Sequence, residues 1–182
     1  MLKSAVLFAI ALSTLSALGV GLLGPIYPIY VVNRFSVSFV DVGVLYAVFC
    51  CVAAVFKMFG GRLADVYGKE KIFLIGVVMG ALCSLGYVFA SDLLHLYIIE
   101  FFFGISYALQ RPSFLVLMAD MSEKDKRGLF FGMSESICDI AEATAAVLSV
   151  IIVSRIGFEP LFFACSACQA TAGICVIKLK RG

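Results

Sequence analysis

The chain has 182 residues and a mean hydropathy of +1.09; 63% of it is hydrophobic and only 14% is charged. Soluble domains are nearer half apolar and a quarter charged, so this composition excludes a disordered chain, a nucleic-acid binder and an ordinary soluble enzyme. The net charge of +2 decides nothing by its size, whereas the placement of the basic residues decides orientation.

Crossing a bilayer as a helix takes roughly 20 apolar residues. Six stretches qualify, at about 4–32, 40–59, 71–90, 93–119, 128–154 and 157–177. No alternation of period two suggests a barrel, so helices are left to satisfy the backbone in lipid. The sequence therefore predicts an all-α integral membrane protein. It reads as a single six-helix transmembrane domain over residues 1–182, with no room for a soluble catalytic domain.

The first span begins like a signal peptide, with Lys3 before an apolar run. It runs on past Leu23 through Gly24-Pro25 to Val32 without a clear A-x-A cleavage site, so it reads as a span. Pro25 and Pro28 each remove a backbone donor and are expected to bend it. Tyr27 and Tyr30 read as part of an interfacial aromatic belt, with lining of a cavity as the other reading. Residues 33–38 form the next loop, and Asp41 opens the second span. Lys57, inside that span, reads as a snorkelling lysine.

Between the second and third spans stands Gly61-Arg-Leu-Ala-Asp65-Val-Tyr-Gly68-Lys69-Glu-Lys71. Gly61 is expected to allow close helix approach and Gly68 a tight turn, with Asp65 and the bases forming a charge cluster. After the Ser91-Asp92 hairpin, the fourth span carries Glu100, Gly104, Tyr107 and Arg111 at helical spacing, on one face. The fifth carries Glu135, Asp139 and Glu142, again on one face, with Ile137, Ile140, Leu148 and Ile151 turned to lipid. A helical rise of 1.5 Å puts Arg111, Glu135 and Asp139 at depths of roughly 10–16 Å, so Arg111 is expected to pair with one of those acids. Glu142 and Glu100 then lie higher, without a cation in reach. Ionisable groups in a span mark either a solute or proton path or a buried structural network, and the residues alone leave both open.

All seven cysteines lie in apolar stretches. Cys165-x-x-Cys168 has a metal or redox spacing, but it has no companion ligands, so the cysteines read as packing residues and no metal or cofactor is expected. Signature motifs of enzymes are absent, and no enzyme is predicted. The short loops set orientation. Lys3, Arg62, Lys69, Lys71, Lys124, Lys126, Arg127, Lys178, Lys180 and Arg181 fall on one side, and only Arg34 and Arg155 on the other. Both termini are therefore expected to be cytoplasmic, in a multi-pass protein of the plasma membrane.

The stretch from Gly61 resembles the hallmark loop of the major facilitator superfamily, G-x-L-A-D-R-x-G-R-[RK]. Gly61, Leu63, Ala64, Asp65 and Gly68 match, Lys69 replaces a base with a base, Val66 stands for the usual Arg, and Glu70 stands where a second base is common. Gly24–Tyr30, Gly104 with Ala119-Asp120 and Arg127-Gly128, and Gly157–Phe162 resemble other parts of that family's first half. Glu100 departs from the Arg often found there, and Ala141–Ala146 replaces the G-P-x-x-G of antiporter branches.

The resemblance implies half of a major-facilitator-type fold. Members have two six-helix halves related by an axis along the membrane normal, with the substrate site between them. It thus implies secondary transport of a small solute, with protons as a candidate partner, across the lipid bilayer by alternating access. The path would be completed by a homodimer or a separate second half. The alternative is a truncated or degenerate membrane protein that does not transport and acts, if at all, as an interaction partner. Under the transport reading, Arg111, Glu135, Asp139, Glu142, Glu100 and Tyr107 are the candidates for binding solute or protons. In the gating loop, the family implies that Asp65 faces the positive start of a helix in the other half and that Lys69 pairs with Asp120.

Overall fold

Long apolar runs leave the backbone no partner in lipid but itself, and the chain answers with helix almost throughout. The computed structural model describes residues 2–122 and 124–181, with side chains for 11, 12, 14–122 and 125–177. Its helices are α1 (Leu2–Leu23), α2 (Tyr27–Phe35), α3 (Phe39–Tyr67), α4 (Lys69–Phe89), α5 (Leu93–Met121), α6 (Arg127–Ile156) and α7 (Glu159–Arg181), with a 3-10 turn at Lys124–Lys126. Among the described residues, six helical segments are long and apolar enough to span a membrane, the first ending in α2. The side chains of Lys3, Lys124, Lys178, Lys180 and Arg181, which entered the charge count, lie outside the described residues.

The first span is broken rather than bent. Gly24, Pro25 and Ile26 form a turn between α1 and α2. Pro28 then sits in the first turn of α2, where its missing N–H is one of the donors a helix start leaves unused. Helix α2 continues to Phe35, so the predicted loop shrinks to Ser36–Ser38, with Ser36 left-handed at φ 52°. A capping box opens α3: Asp41 N–H donates to Ser38 Oγ at 3.3 Å, and Ser38 N–H donates to Asp41 Oδ2 at 2.9 Å. Asp92 caps α5, accepting from the His95 N–H at 2.9 Å. That bond holds the Asp92 carboxyl below the usual carboxylate range.

Helix α3 also outruns its predicted end near residue 59. Residues Gly61–Tyr67 form its last two turns, and Gly68, at φ 97°, turns the chain directly into α4. The main packing partners are α3 with α5, α4 with α5, α1 with α6, and α7 with both α1 and α4. Helix α4 is the most enclosed of the later spans, 44% of its apolar window being buried against 11% for α3 and 17% for α6. The open flanks of the bundle are therefore α3 and α6.

Two apolar clusters hold the bundle together. Leu22, Ile26, Tyr30, Leu45, Tyr87, Leu96 and Phe162 meet near the α1–α2 break. Leu12, Phe73, Val77, Leu117, Met118 and Val176 meet toward the end bearing the termini. Between α4 and α5, Ser106 Oγ donates to the Gly76 carbonyl at 2.8 Å, and Gln110 Nε2 donates to the same oxygen at 3.2 Å.

A close crossing of α3 and α5 depends on two residues together. Pro112, inside α5, has no N–H to give the Ala108 carbonyl one turn before it. That carbonyl faces Gly60, where an added Cβ would stand 2.3 Å from the oxygen. Close approach thus belongs to Gly60. Gly61, expected to provide it, has open space around it, with nothing within 4 Å of an added Cβ.

Candidate solute and coupling site

The α5 stripe is a single face in sequence but meets different neighbours along its length. Glu100, 5% exposed, accepts a hydrogen bond from Tyr87 Oη of α4 at 2.9 Å. Tyr27, the first residue of α2, packs edge-on to Tyr87 with centroids 5.3 Å apart, and its buried hydroxyl has no hydrogen-bond partner among the described residues. Tyr30 is 4% exposed and donates to the Tyr87 carbonyl at 2.7 Å. Both rings are therefore packed into the bundle rather than turned to lipid as a belt, and Tyr30 also lines a cavity. The break after Leu23 turns the start of α2 into the bundle.

Gly104, one turn on, packs against the α3 backbone at Phe49. Tyr107 follows, and Lys57 Nζ of α3 lies 4.9 Å from its ring centroid. The lysine thus rests on an aromatic face at the depth of the candidate residues, in the geometry of a cation–π contact. Arg111 then reaches across to α6, with Nη2 3.8 Å from Glu135 Oε1. Lys57 and Arg111 each lie ten residues before the end of their helices, about 15 Å from the same end of the bundle at 1.5 Å per residue. Lys57, Tyr107, Arg111 and Glu135 consequently form a row across α3, α5 and α6.

Asp139 and Glu142 continue the row along α6. Asp139 is exposed and Glu142 half-buried; Glu142 lies close enough to Asp139, Glu135 and Arg111 for their charges to interact, so, contrary to the expectation from the sequence, it has a cation in reach. Their position beside, rather than within, the α1 contact follows from the small residues of α6. Ser134, Ala141, Ala145 and Ser149 fill that contact. An added Cβ on Gly21 of α1 would stand 2.6 Å from the Glu142 carbonyl. Ile140, Leu148 and Ile151 are exposed on the other flank of α6. Glu100 is enclosed near the α1–α2 break, more than 10 Å along α5 from Arg111 at the same helical rise, so the six candidates divide into an open row and one buried carboxyl.

At the end bearing the termini, Lys69 at the start of α4 donates to Asp120 at the end of α5 in an ion pair. Arg127 reaches the Ala119 carbonyl at 3.5 Å. Asp65 is exposed on the last turn of α3 without an ion-pair partner among the described residues. Ala64 is buried and Leu63 is partly exposed at 37%. The motif residues Gly61 to Asp65 are helical, so they are presented on a rigid surface rather than in a loop.

Sequence reasoning missed Gly60, Gly21 and the two tyrosines beside Glu100, of which Tyr87 hydrogen-bonds to it. The Gly60-Gly61 doublet and Pro112 were visible signals for the first. For the tyrosines there was no signal, since they come from α2 and α4, 73 and 13 residues away.

Residues 9–181 match the family model described as Major Facilitator Superfamily. An uncharacterized MFS-type transporter of Methanocaldococcus jannaschii is 26% identical over 168 residues, which are 92% of this chain and 43% of that protein. Quinolone resistance protein NorA of Staphylococcus aureus is 28% identical over 120 residues, 66% of this chain and 31% of that protein. The chain spans less than half the length of these curated relatives. With its six spans and the match over nearly all its length, this integral multi-pass membrane protein belongs to the Major Facilitator Superfamily and has half of that family's fold.

Proposed function

We propose that the chain is one six-helix unit of a secondary transporter, moving a small solute by alternating access as a homodimer or with a separate second half. The observation that carries this reading is the row of Lys57, Tyr107, Arg111 and Glu135 on the least covered helices. Charged groups at that depth are stable only against a partner or a water-filled path. Facing a second half, the row would line the path between the two. The excess of bases at the end bearing the termini supports a cytoplasmic placement of both termini, and the plasma membrane is the bilayer of this reading.

In this reading Arg111, Glu135, Asp139, Glu142 and Tyr107 bind the solute. Glu100, set apart and in contact with Tyr87, carries the coupling proton. Asp65, exposed and without an ion-pair partner among the described residues, meets the start of a helix in the other half or copy. The Lys69–Asp120 pair stiffens the same end, so both bias the equilibrium between the two arrangements.

A quinolone is the first probe to use, because the name of one relative associates it with quinolone resistance. Purified protein in proteoliposomes should move radiolabelled quinolone faster than protein-free vesicles. Arg111→Gln or Glu135→Gln should abolish that flux, whereas Glu100→Gln should remove only its dependence on a pH gradient. Flux that survives all three substitutions would overturn the assignment of the row. If cross-linking in membranes found neither a second copy nor another chain against α3 and α6, the two-half assembly would be abandoned.

A further inference from the structure

At the end of the bundle away from the termini, the last turn of α2, the ends of α4 and α6 and the start of α7 enclose a cavity of about 360 Å³. That lies within the size range of small-ligand pockets. Tyr30, Phe158 and Phe162 make its aromatic wall, with the Tyr30 ring edge-on to the other two at centroid distances of 5.4 and 4.8 Å. The bond from the Tyr30 hydroxyl to the Tyr87 carbonyl anchors that wall to α4. Two charged residues line the cavity, Arg34 and Glu159. They do not pair with each other, and among the described residues neither has an ion-pair partner within 4.0 Å.

A cation and an anion set apart in a small cavity suit a ligand that carries both signs. The cavity lies where helices end, which in a spanning bundle is the depth of the lipid headgroups. Ile156 at its rim is 66% exposed, and nearby Phe89 is 77% exposed, offering apolar surface to acyl chains.

We propose that this cavity binds the headgroup of a zwitterionic phospholipid, with its phosphate on Arg34 and its ammonium between Glu159 and the aromatic wall. Guanidinium is suited to phosphate by charge and by its fork of donors. The ammonium gains from a carboxylate and from aromatic faces. An anionic headgroup lacking the ammonium would leave Glu159 facing a phosphate with no cation between them, so the pair selects by charge pattern rather than by net charge. The site is independent of the solute row and would stand if no transport were found.

The test is native mass spectrometry of the purified chain in detergent. Phosphatidylethanolamine, phosphatidylcholine and phosphatidylglycerol with identical acyl chains are titrated separately. The two zwitterionic lipids should be retained at about tenfold lower concentration than phosphatidylglycerol, a difference of about 1.4 kcal/mol. Arg34→Gln should weaken all three. Glu159→Gln should weaken the zwitterionic lipids and strengthen phosphatidylglycerol, a reversal that general loss of structure does not produce. Melting curves of both variants check that they remain folded. Soluble phosphoethanolamine should displace phosphatidylethanolamine; failure to displace would assign retention to the acyl chains and overturn the headgroup site. Equal retention of the three lipids, or a wild-type pattern in both variants, would also overturn it.

Discussion

A carboxyl group that gives up water inside a membrane protein must recover hydrogen bonds from its neighbours. Glu100 recovers one from Tyr87, while the neighbouring Tyr27 hydroxyl is buried without a hydrogen-bond partner among the described residues. The two tyrosines should therefore respond differently to loss of the hydroxyl. Tyr87→Phe is expected to destabilise the protein by about 1–3 kcal/mol, the cost of leaving a buried polar group unsatisfied. Tyr27→Phe should be close to neutral. Thermal unfolding in detergent checks both, and equal losses would contradict the geometry. Gly60 and Gly61 offer a similar contrast. A side chain at Gly60 meets the Ala108 backbone, so Gly60→Val should lower stability by about 1–3 kcal/mol as the helices are forced apart. Gly61→Ala, with nothing around it, should be neutral or gain up to about 1 kcal/mol of helix propensity.

Among the elements, the helix starts make the clearest case. Asp92 is ionised when it caps α5, and its carboxyl lies below the usual range chiefly because the His95 N–H donates to it. A group with a depressed folded value contributes stability above its unfolded value and loses it as the pH falls through the folded one. The melting difference between the native protein and Asp92→Ala should accordingly be present at neutral pH and shrink on acidification through the carboxylate range. A difference that stayed constant would show that the cap does not depend on ionisation. The first span illustrates how local chemistry and packing combine. Pro25 and Pro28 made an interruption legible. What the break accomplishes, bringing Tyr27 and Tyr30 into the bundle, depends on α4 and α7 being there to receive them.

At the scale of the molecule, the charged row unites three helices only because α3, α5 and α6 run at matching depths. If Arg111 and Glu135 act as a pair, exchanging them should keep part of what either single reversal destroys. Arg111→Glu and Glu135→Arg are each expected to abolish quinolone flux, and the double variant to regain a measurable fraction. A double variant no better than either single one would show that each residue contacts the solute separately. Asp65→Asn should slow flux without moving the melting temperature of the isolated chain, because Asp65 has no ion-pair partner among the described residues.

Composition determined that the chain lives in a membrane, and the long apolar runs without period-two alternation determined that it is helical, because lipid provides no partner for an open backbone. Local motifs determined the turn at Gly68, the helix start at Asp41 and the resemblance that the family match later supported. Spacing placed Arg111 and the α6 acids on faces that could meet. Tertiary structure decided which faces did meet: Glu100 went to Tyr87, Lys57 to Tyr107, and Arg111 to Glu135. It also chose Gly60 over its neighbour as the crossing point. The reason is geometric, since helical periodicity reports what shares a face, while the partner of that face depends on how separate helices cross.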